Sequence, residues 1–348
     1  MADERKLLSL RSVARQRERF VDSRAYSSGQ PLTPIKLPEV GFLSAIKIVV
    51  DGTMNFSGGT GTLVDKGPWN LLSNITVDVN LGTSNVVNVS GFGAYLVASD
   101  QKRAFAPDGG GNLTPSTLIY STPLASGNNT WKLTYYIPIA ANDTGEFDTG
   151  LINLQAPEIQ CNVNLTCGTN AQVTATNPGT GFSGTISVYY EYFEVPNPNV
   201  VQWPPTQIVR TVEESQPIFV TGDYTWYQIL RQGYMLNLLS YLVANGSLTN
   251  AFDTATIRVN KNDTIYNFTP STLKLRGYMA NSVMLPTGCF SWGLWEALGD
   301  PSEGDLRDGF NTERVTTLEA GFQITAGTTL GSNNNSLTNI RRVLVNLV

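Results

Sequence analysis

The sequence predicts an all-β chain built as two similar domains. Three observations carry that expectation. Short runs rich in β-branched and aromatic residues alternate with a period of two and are separated by Asn, Asp, Gly and Pro, the pattern of strands joined by turns. The chain has 348 residues, beyond the roughly 250–300 at which a single core stops growing. A unit at Gly41–Asn80, reading GFLSAIKIVVDGT and then WNLLSNITVDVN, returns at Gly233–Asn262 as GYMLNLLSYLVANGS and FDTATIRVNKN. The echo falls about half a chain later and points to one fold written twice.

Residues 1–26 differ from everything after them. Seven basic residues (Arg5, Lys6, Arg11, Arg15, Arg17, Arg19, Arg24) stand against four acidic ones (Asp3, Glu4, Glu18, Asp22), a balance of +3 in a chain whose total is −5. Leu7, Leu10, Ala14 and Val21 share one helical stripe, with Leu8, Val13 and Phe20 near it, so an amphipathic helix is expected here. Asp3 and Glu4 suit its first turn through the dipole. A basic amphipathic helix lies on an anionic membrane or docks in a groove, and a solvated tail is the alternative. Pro31, Pro34 and Pro38 then make residues 27–40 an extended connector.

The first domain spans 41–203. Its expected strands are Gly41–Asp51, Trp69–Leu81, Val86–Tyr95 (interrupted by Gly91 and Gly93), Trp131–Ala140, short pieces over 151–176, and the aromatic-rich Thr185–Val195. Met54–Thr62 reads as a Gly-rich edge or loop, and Ala106–Asn112 as a flexible surface loop. Strands at this density leave no room for βαβ units and suit a sandwich or jelly roll. Pro196, Pro198, Pro204 and Pro205 mark the boundary, and the second domain takes 204–348. There Tyr224–Leu242 matches the first strand, after a short helix around Trp226–Arg231. Thr254–Asn260 matches Ile75–Asn80, Pro270–Tyr278 matches Ser90–Tyr95, and Cys289–Leu298 matches Trp131–Ala140. Arg314–Thr325 matches Ile152–Leu165, and Asn339–Val348 closes the chain as Thr185–Val195 closed the first half.

The chemistry expected is largely negative. The chain has no histidine, which removes Ser-His-Asp and Cys-His catalysis and His-based metal sites. Cys161, Cys167 and Cys289 are odd in number and lack zinc-ligand spacing, so reduced, packed thiols of a cytosolic product are expected. No phosphate or dinucleotide fingerprint is present. Asp300, Glu303, Asp305 and Asp308 offer oxygen ligands of the kind Ca²⁺ takes, without the EF-hand order, and read as a solvated loop. Glu191 and Glu194 fall on opposite faces of one strand, so they do not form a glycosidase pair. Trp69, Trp131, Trp203, Trp292 and Trp295 fill a core or stack on sugars. A net charge of −5 and a pI near 4.9 argue against a whole-surface nucleic-acid binder, and no direct sequence-specific nucleic acid is expected as a partner. No run of 18 apolar residues and no secretory leader is read. The expectation is a non-enzymatic chain with no catalytic residue, cofactor or metal. A carbohydrate-binding or glycan-cleaving double β-sandwich, such as a spike, is the alternative.

Several stretches together resemble one family. A basic N-terminal segment and a Pro-containing connector precede GFLSAIKIVV. GPWNLLSNITVDV, TYYIPIA and VYYEYFEV follow, the last running into a Pro-rich crossover, and YMLNLLSYLVANGS opens the second half. In this order they are similar to the double jelly-roll major capsid proteins of tectivirus-like, tailless, internal-membrane double-stranded DNA phages. The resemblance covers nearly the whole chain at low identity, with shorter loops and a shorter second domain. It implies two eight-stranded antiparallel jelly rolls in tandem with a short N-terminal helical arm. It further implies pseudo-hexameric homotrimers that tile an icosahedral shell, with neighbouring trimers, a penton protein at the vertices and an internal membrane as partners. Such a chain is assembled in the host cytoplasm and resides in the virion. Arg5, Lys6, Arg11, Arg15, Arg17 and Arg19 would then face the membrane.

Overall fold

The computed structural model describes residues 10–346 apart from 58, 81–83, 102–104, 108–112, 116–125, 142–148, 177, 196–202, 205–206, 294–309 and 332–333. The first half runs α1 (Leu10–Val13), β1 (Gln16–Ala25), β2 (Ile35–Lys36), β3 (Phe42–Phe56), β4 (Leu72–Val79), β5 (Ser84–Val89), α2 (Gly91–Asp100), β6 (Phe105–Pro107), β7 (Leu113–Pro115), β8 (Gly127–Pro138), β9 (Ile152–Asn153), β10 (Cys161–Cys167), α3 (Asn170–Val173) and β11 (Thr180–Phe193). The second half runs β12 (Gln207–Pro217), β13 (Tyr224–Gln228), β14 (Tyr234–Ala244), β15 (Ser247–Leu248), β16 (Phe252–Val259), β17 (Asp263–Phe268), α4 (Pro270–Asn281), β18 (Cys289–Ser291), β19 (Phe310–Asn311), β20 (Leu318–Ile324) and β21 (Ser336–Asn346).

Each half is a jelly roll of two facing layers with four main strand positions apiece. In the first, β1-β11-β3-β8 faces β5-β4-β10-β2. Ile46, Ile48 and Val50 of β3 alternate inward to meet Ile75, Val77 and Val79 of β4 and Val163 and Leu165 of β10. In the second, β12-β21-β14 with β18 and β19 faces β13-β20-β16-β17. Its core joins Leu238 and Leu242 of β14 to Ala255 and Ile257 of β16 and Phe322 of β20.

The strand orders are superposable. β1, β11, β3 and β8 of the first roll correspond to β12, β21, β14 and β18 of the second, and β5, β4, β10 and β2 correspond to β17, β16, β20 and β13. Even the irregularities coincide. An extra residue, Ser44, interrupts the β3–β11 ladder between Leu43 and Ala45, and Leu236 interrupts β14–β21 between Met235 and Asn237. Val86 bulges from β5 where Ile265 bulges from β17. Matched bulges re-aim a strand in the same way, so the two halves repeat in register as well as in order. The rolls are joined where β12 runs parallel to β5, pairing Thr211 with Val87 and Val212 with Asn88.

Two helical expectations change. The helix of the arm is confined, among the described residues, to Leu10–Val13. Gln16–Ala25 is a strand, paired antiparallel along its length with β11 from Gln16↔Phe193 to Ala25↔Thr185. Helical stripes are weak priors, and a tertiary ladder overrides them. The same holds for the short helix expected near Trp226, where β13 pairs with β20. Conversely, Val86–Tyr95 is not one strand. After β5, Ser90 caps α2, its hydroxyl accepting the Gly93 N–H at 2.9 Å.

Candidate assembly surfaces

The expected contact arm divides into three parts. Arg5 and Lys6 lie outside the described residues. Arg11 is in α1, which docks through Leu10. That side chain is buried against Phe42 at the start of β3, Phe193 at the end of β11, and Ala140 and Leu151. Arg15, Arg17 and Arg19 lead into and along β1, an edge strand exposed over Gln16–Phe20. Here the positive charge of the arm is partly matched. Arg17 pairs with Glu194, Glu18 with Lys47 at 3.1 Å, and Arg24 with Asp22 at 2.7 Å. Along the strand Arg17 and Arg19, opposite Tyr192 and Tyr190, share one face, and Glu18, opposite Glu191, lies on the other.

The same end of the molecule gathers other features. Trp203, just before β12, meets Phe42 edge-to-face at 5.3 Å and stays 48% exposed. Val209 of β12, Leu236 of β14 and Leu344 of β21 form a small cluster with Ala141, next in the chain to Ala140 of the Leu10 cluster. The remaining described tryptophans of the sugar-stacking expectation, Trp69, Trp131 and Trp292, are buried. Trp295 and the acidic residues Asp300, Glu303, Asp305 and Asp308 lie outside the described residues.

The junction of the rolls is built around α2, all ten of whose residues are buried. Glu213 of β12 accepts the Ser90 N–H at 2.6 Å, the Ser90 hydroxyl at 3.0 Å and the Tyr241 hydroxyl at 2.5 Å. Phe92 meets Tyr241 edge-to-face at 5.3 Å, and Asn237 of β14 donates to Asp100. Gly93 lets the Glu213 carboxylate approach closely, and a β-carbon there would push that carboxylate aside. Lys66 lies over the Tyr241 ring at 4.6 Å. Burial pulls its ammonium below the usual range, and the Glu213 carboxylate opposes that shift. Burial, followed by Glu213, holds the Tyr241 phenol well above its ordinary range. Sequence reasoning missed this junction. Its one available signal was the apolar GFGAYLVASD run, of which only Gly91–Tyr95 was read, as part of a Gly-interrupted strand.

All three thiols are reduced and buried, and Cys161 and Cys167 share one face of β10. Burial pushes the Cys161 thiol up to about 12. Glu191 accepts from Gln16 at 3.1 Å and Tyr136 at 3.2 Å on the outer face of the first roll, while Glu194 lies beyond the strand on Arg17. Among the described residues no helix is long and apolar enough to cross a membrane.

Solved structures share this architecture over nearly its whole length. The major capsid protein of Sulfolobus turreted icosahedral virus superposes with a TM-score of 0.69 at 13% identity, over 95% of this chain and 97% of its own. The capsid protein of the virus PBCV-1 gives a TM-score of 0.62 at 11% identity, over 95% and 94%. The major capsid protein P2 of bacteriophage PM2 gives 0.53 at 9%, over 96% and 98%. No family model and no curated protein matches the chain.

Proposed function

We propose, for a chain that has the double jelly-roll fold of viral major capsid proteins, that it is itself a structural major capsid subunit. It forms pseudo-hexameric homotrimers that tile an icosahedral phage shell around an internal membrane. The observation that carries this reading is the repetition of one roll within the chain, in strand order and in bulge position. Two similar columns per chain and three chains per ring give six similar columns, and such a block suits six-neighbour lattice positions. Rings of this kind close through heterologous faces. The division at 203/204 separates the columns. Neighbouring trimers and a penton protein complete the shell, which is assembled in the host cytoplasm, and no catalysis or cofactor is part of this role.

The arm is the part assigned to the membrane. Arg5 and Lys6 stand ahead of the docked α1, Arg11 lies within it and Arg15 follows it. Each basic group near anionic lipid is worth about 1 kcal/mol, within a Debye length. Deleting residues 1–26 would also remove β1, so the useful truncation is residues 1–9. Capsids reconstituted with that truncation are expected to lose vesicle attachment while subunits keep their fold. Normal vesicle content and shell size would remove Arg5 and Lys6 from this role. The capsid reading itself is tested by electron microscopy of the expressed chain, where hexagonal blocks or shells are expected. A dispersed monomer that binds glycans would favour the sugar-binding alternative.

A further inference from the structure

The internal repeat makes α4 the counterpart of α2. With the bulges superposed, Val89 of β5 corresponds to Phe268 of β17, and the next residues, Ser90 and Thr269, are both N-caps whose hydroxyls accept the N–H three residues on. The two helices start at the same point of the same fold but differ in what covers them. α2 is buried on every side, against its own roll and against β12, β21 and β14 of the next. On α4 only the side carrying Leu273 and Gly277 is buried. Leu275, Tyr278 and Met279 are 57%, 47% and 74% exposed and recur at helical spacing on one face. An apolar stripe of that size on a capped helix marks a contact surface.

The surface that α2 occupies also has a counterpart. Superposing the bulges sets Ile340 on Tyr189, and the edge ladders then set Glu213 on Phe20. In the second roll this outer face is covered by α2. In the first roll it is open, and Phe20 is 51% exposed, edge-to-face with Tyr189 at 5.4 Å. Lys47 bonded to Glu18 forms its polar border.

We infer that the exposed face of α4 docks on the Phe20–Tyr189 face of a second copy of this chain, laid down as α2 is laid on the second roll within the chain. The occupant is fixed by the repeat, because the chain already contains one such contact between its own two rolls and carries one unmatched half of it at each end. The same operation brings β17, the edge of its sheet, alongside β1, the edge of the other, with Asn267 opposite Arg19 as Asn88 is opposite Val212. The contact is heterologous, so one copy presents α4 and the other presents β1. This inference rests on the assembly reading above and names the surfaces that reading uses.

The test uses the full chain and its size by light scattering. Phe20→Glu and Met279→Glu change exposed side chains, one on each face. Each variant alone is expected to be monomeric with an unchanged circular dichroism spectrum. Mixed in equal amounts they are expected to form a two-chain species and nothing larger, because each retains one intact face. Variants that assemble like the wild type would overturn the inference and leave the assembly reading standing. A wild-type chain that stays monomeric at every concentration would overturn both. If either charged variant fails to fold, the double variant Phe20→Cys/Thr272→Cys decides. It is expected to give oligomers that survive denaturing electrophoresis without reductant, whereas either single variant gives none. The native thiols are buried and do not compete. Absence of the cross-link from assembled double variant would overturn the inference.

Discussion

Glu213 grips Ser90 twice, taking its backbone N–H at 2.6 Å and its hydroxyl at 3.0 Å. One carboxylate from the second roll thereby supplements the N-cap of a helix that follows a first-roll strand. An anionic oxygen at a helix N-terminus interacts with both the unpaired N–H groups and the dipole. The rolls are thus locked through a helix end as well as through the β5–β12 ladder. Glu213→Ala leaves the Ser90 N–H and the Tyr241 hydroxyl without this acceptor. A loss of about 2–3 kcal/mol is expected, given about 1–3 kcal/mol for each orphaned buried group and some relief by water. Urea unfolding of the full chain measures it, and a loss under about 0.5 kcal/mol would show the contact to be dispensable.

A buried chain of hydrogen bonds holds the second roll together. Trp292 donates its indole N–H to the Ser240 hydroxyl at 2.9 Å, and Ser240 donates to the Asn339 side-chain oxygen at 2.6 Å. Ser240→Ala strands both partners in a dry core. About 2 kcal/mol of destabilisation is expected, read by thermal or urea unfolding, with the indole fluorescence of Trp292 changing in the native state.

Alkaline pH is expected to weaken the fold through its thiols and phenols. The Cys161 thiol rises from its ordinary 9.0 to about 12, first because it is buried and second because of Asp78. The folded chain therefore holds this proton more tightly than the unfolded chain does. The stability this contributes is fully present below pH 9 and is lost as pH rises from 9 towards 12. At 1.36 kcal/mol per unit, about 2–3 kcal/mol is lost by pH 11. Cys289, Tyr135 and Tyr241 shift in the same direction. Cys161→Ala is expected to flatten the decline between pH 8 and 11 by about 2 kcal/mol, measured by urea unfolding in reductant. An unaltered slope would contradict the assignment.

Anchoring of the arm is expected to come from packing more than from charge. Leu10 is buried in a five-residue cluster, and Leu10→Ala removes its side chain at a cost of about 2–3 kcal/mol locally. Arg17 and Glu194 pair in the open at 45% exposure each, where such a bond contributes about 0–1 kcal/mol. Trypsin should therefore cleave near Arg15 several-fold faster in Leu10→Ala, and at nearly the wild-type rate in Glu194→Gln. The reverse order would make the ion pair the anchor.

What the sequence disclosed follows from what periodicity encodes. β3 and β4 have one face in the core and one outside, so their alternation was plain, and the second copy in β14 and β16 was found through it. The matched order of later features followed from those anchors. α2 hid because a helix buried all round has no polar face and no 3.6-residue contrast. β1 hid for the opposite reason. As an edge strand exposed along Gln16–Phe20 it carries charges on both faces, so no clear two-residue alternation remains. The stripe of Leu10, Ala14 and Val21 that runs into it fitted a helix, and only the distant partner β11 decides otherwise for Gln16–Ala25. The Glu213–Ser90 bond was illegible because it joins residues 123 positions apart.

The mass of the purified wild-type chain in solution tests the central claim most directly. Multi-angle light scattering is expected to give one species at three times 37.8 kDa, unchanged on dilution through the micromolar range. A single peak at 37.8 kDa at every concentration would contradict a tile-forming subunit.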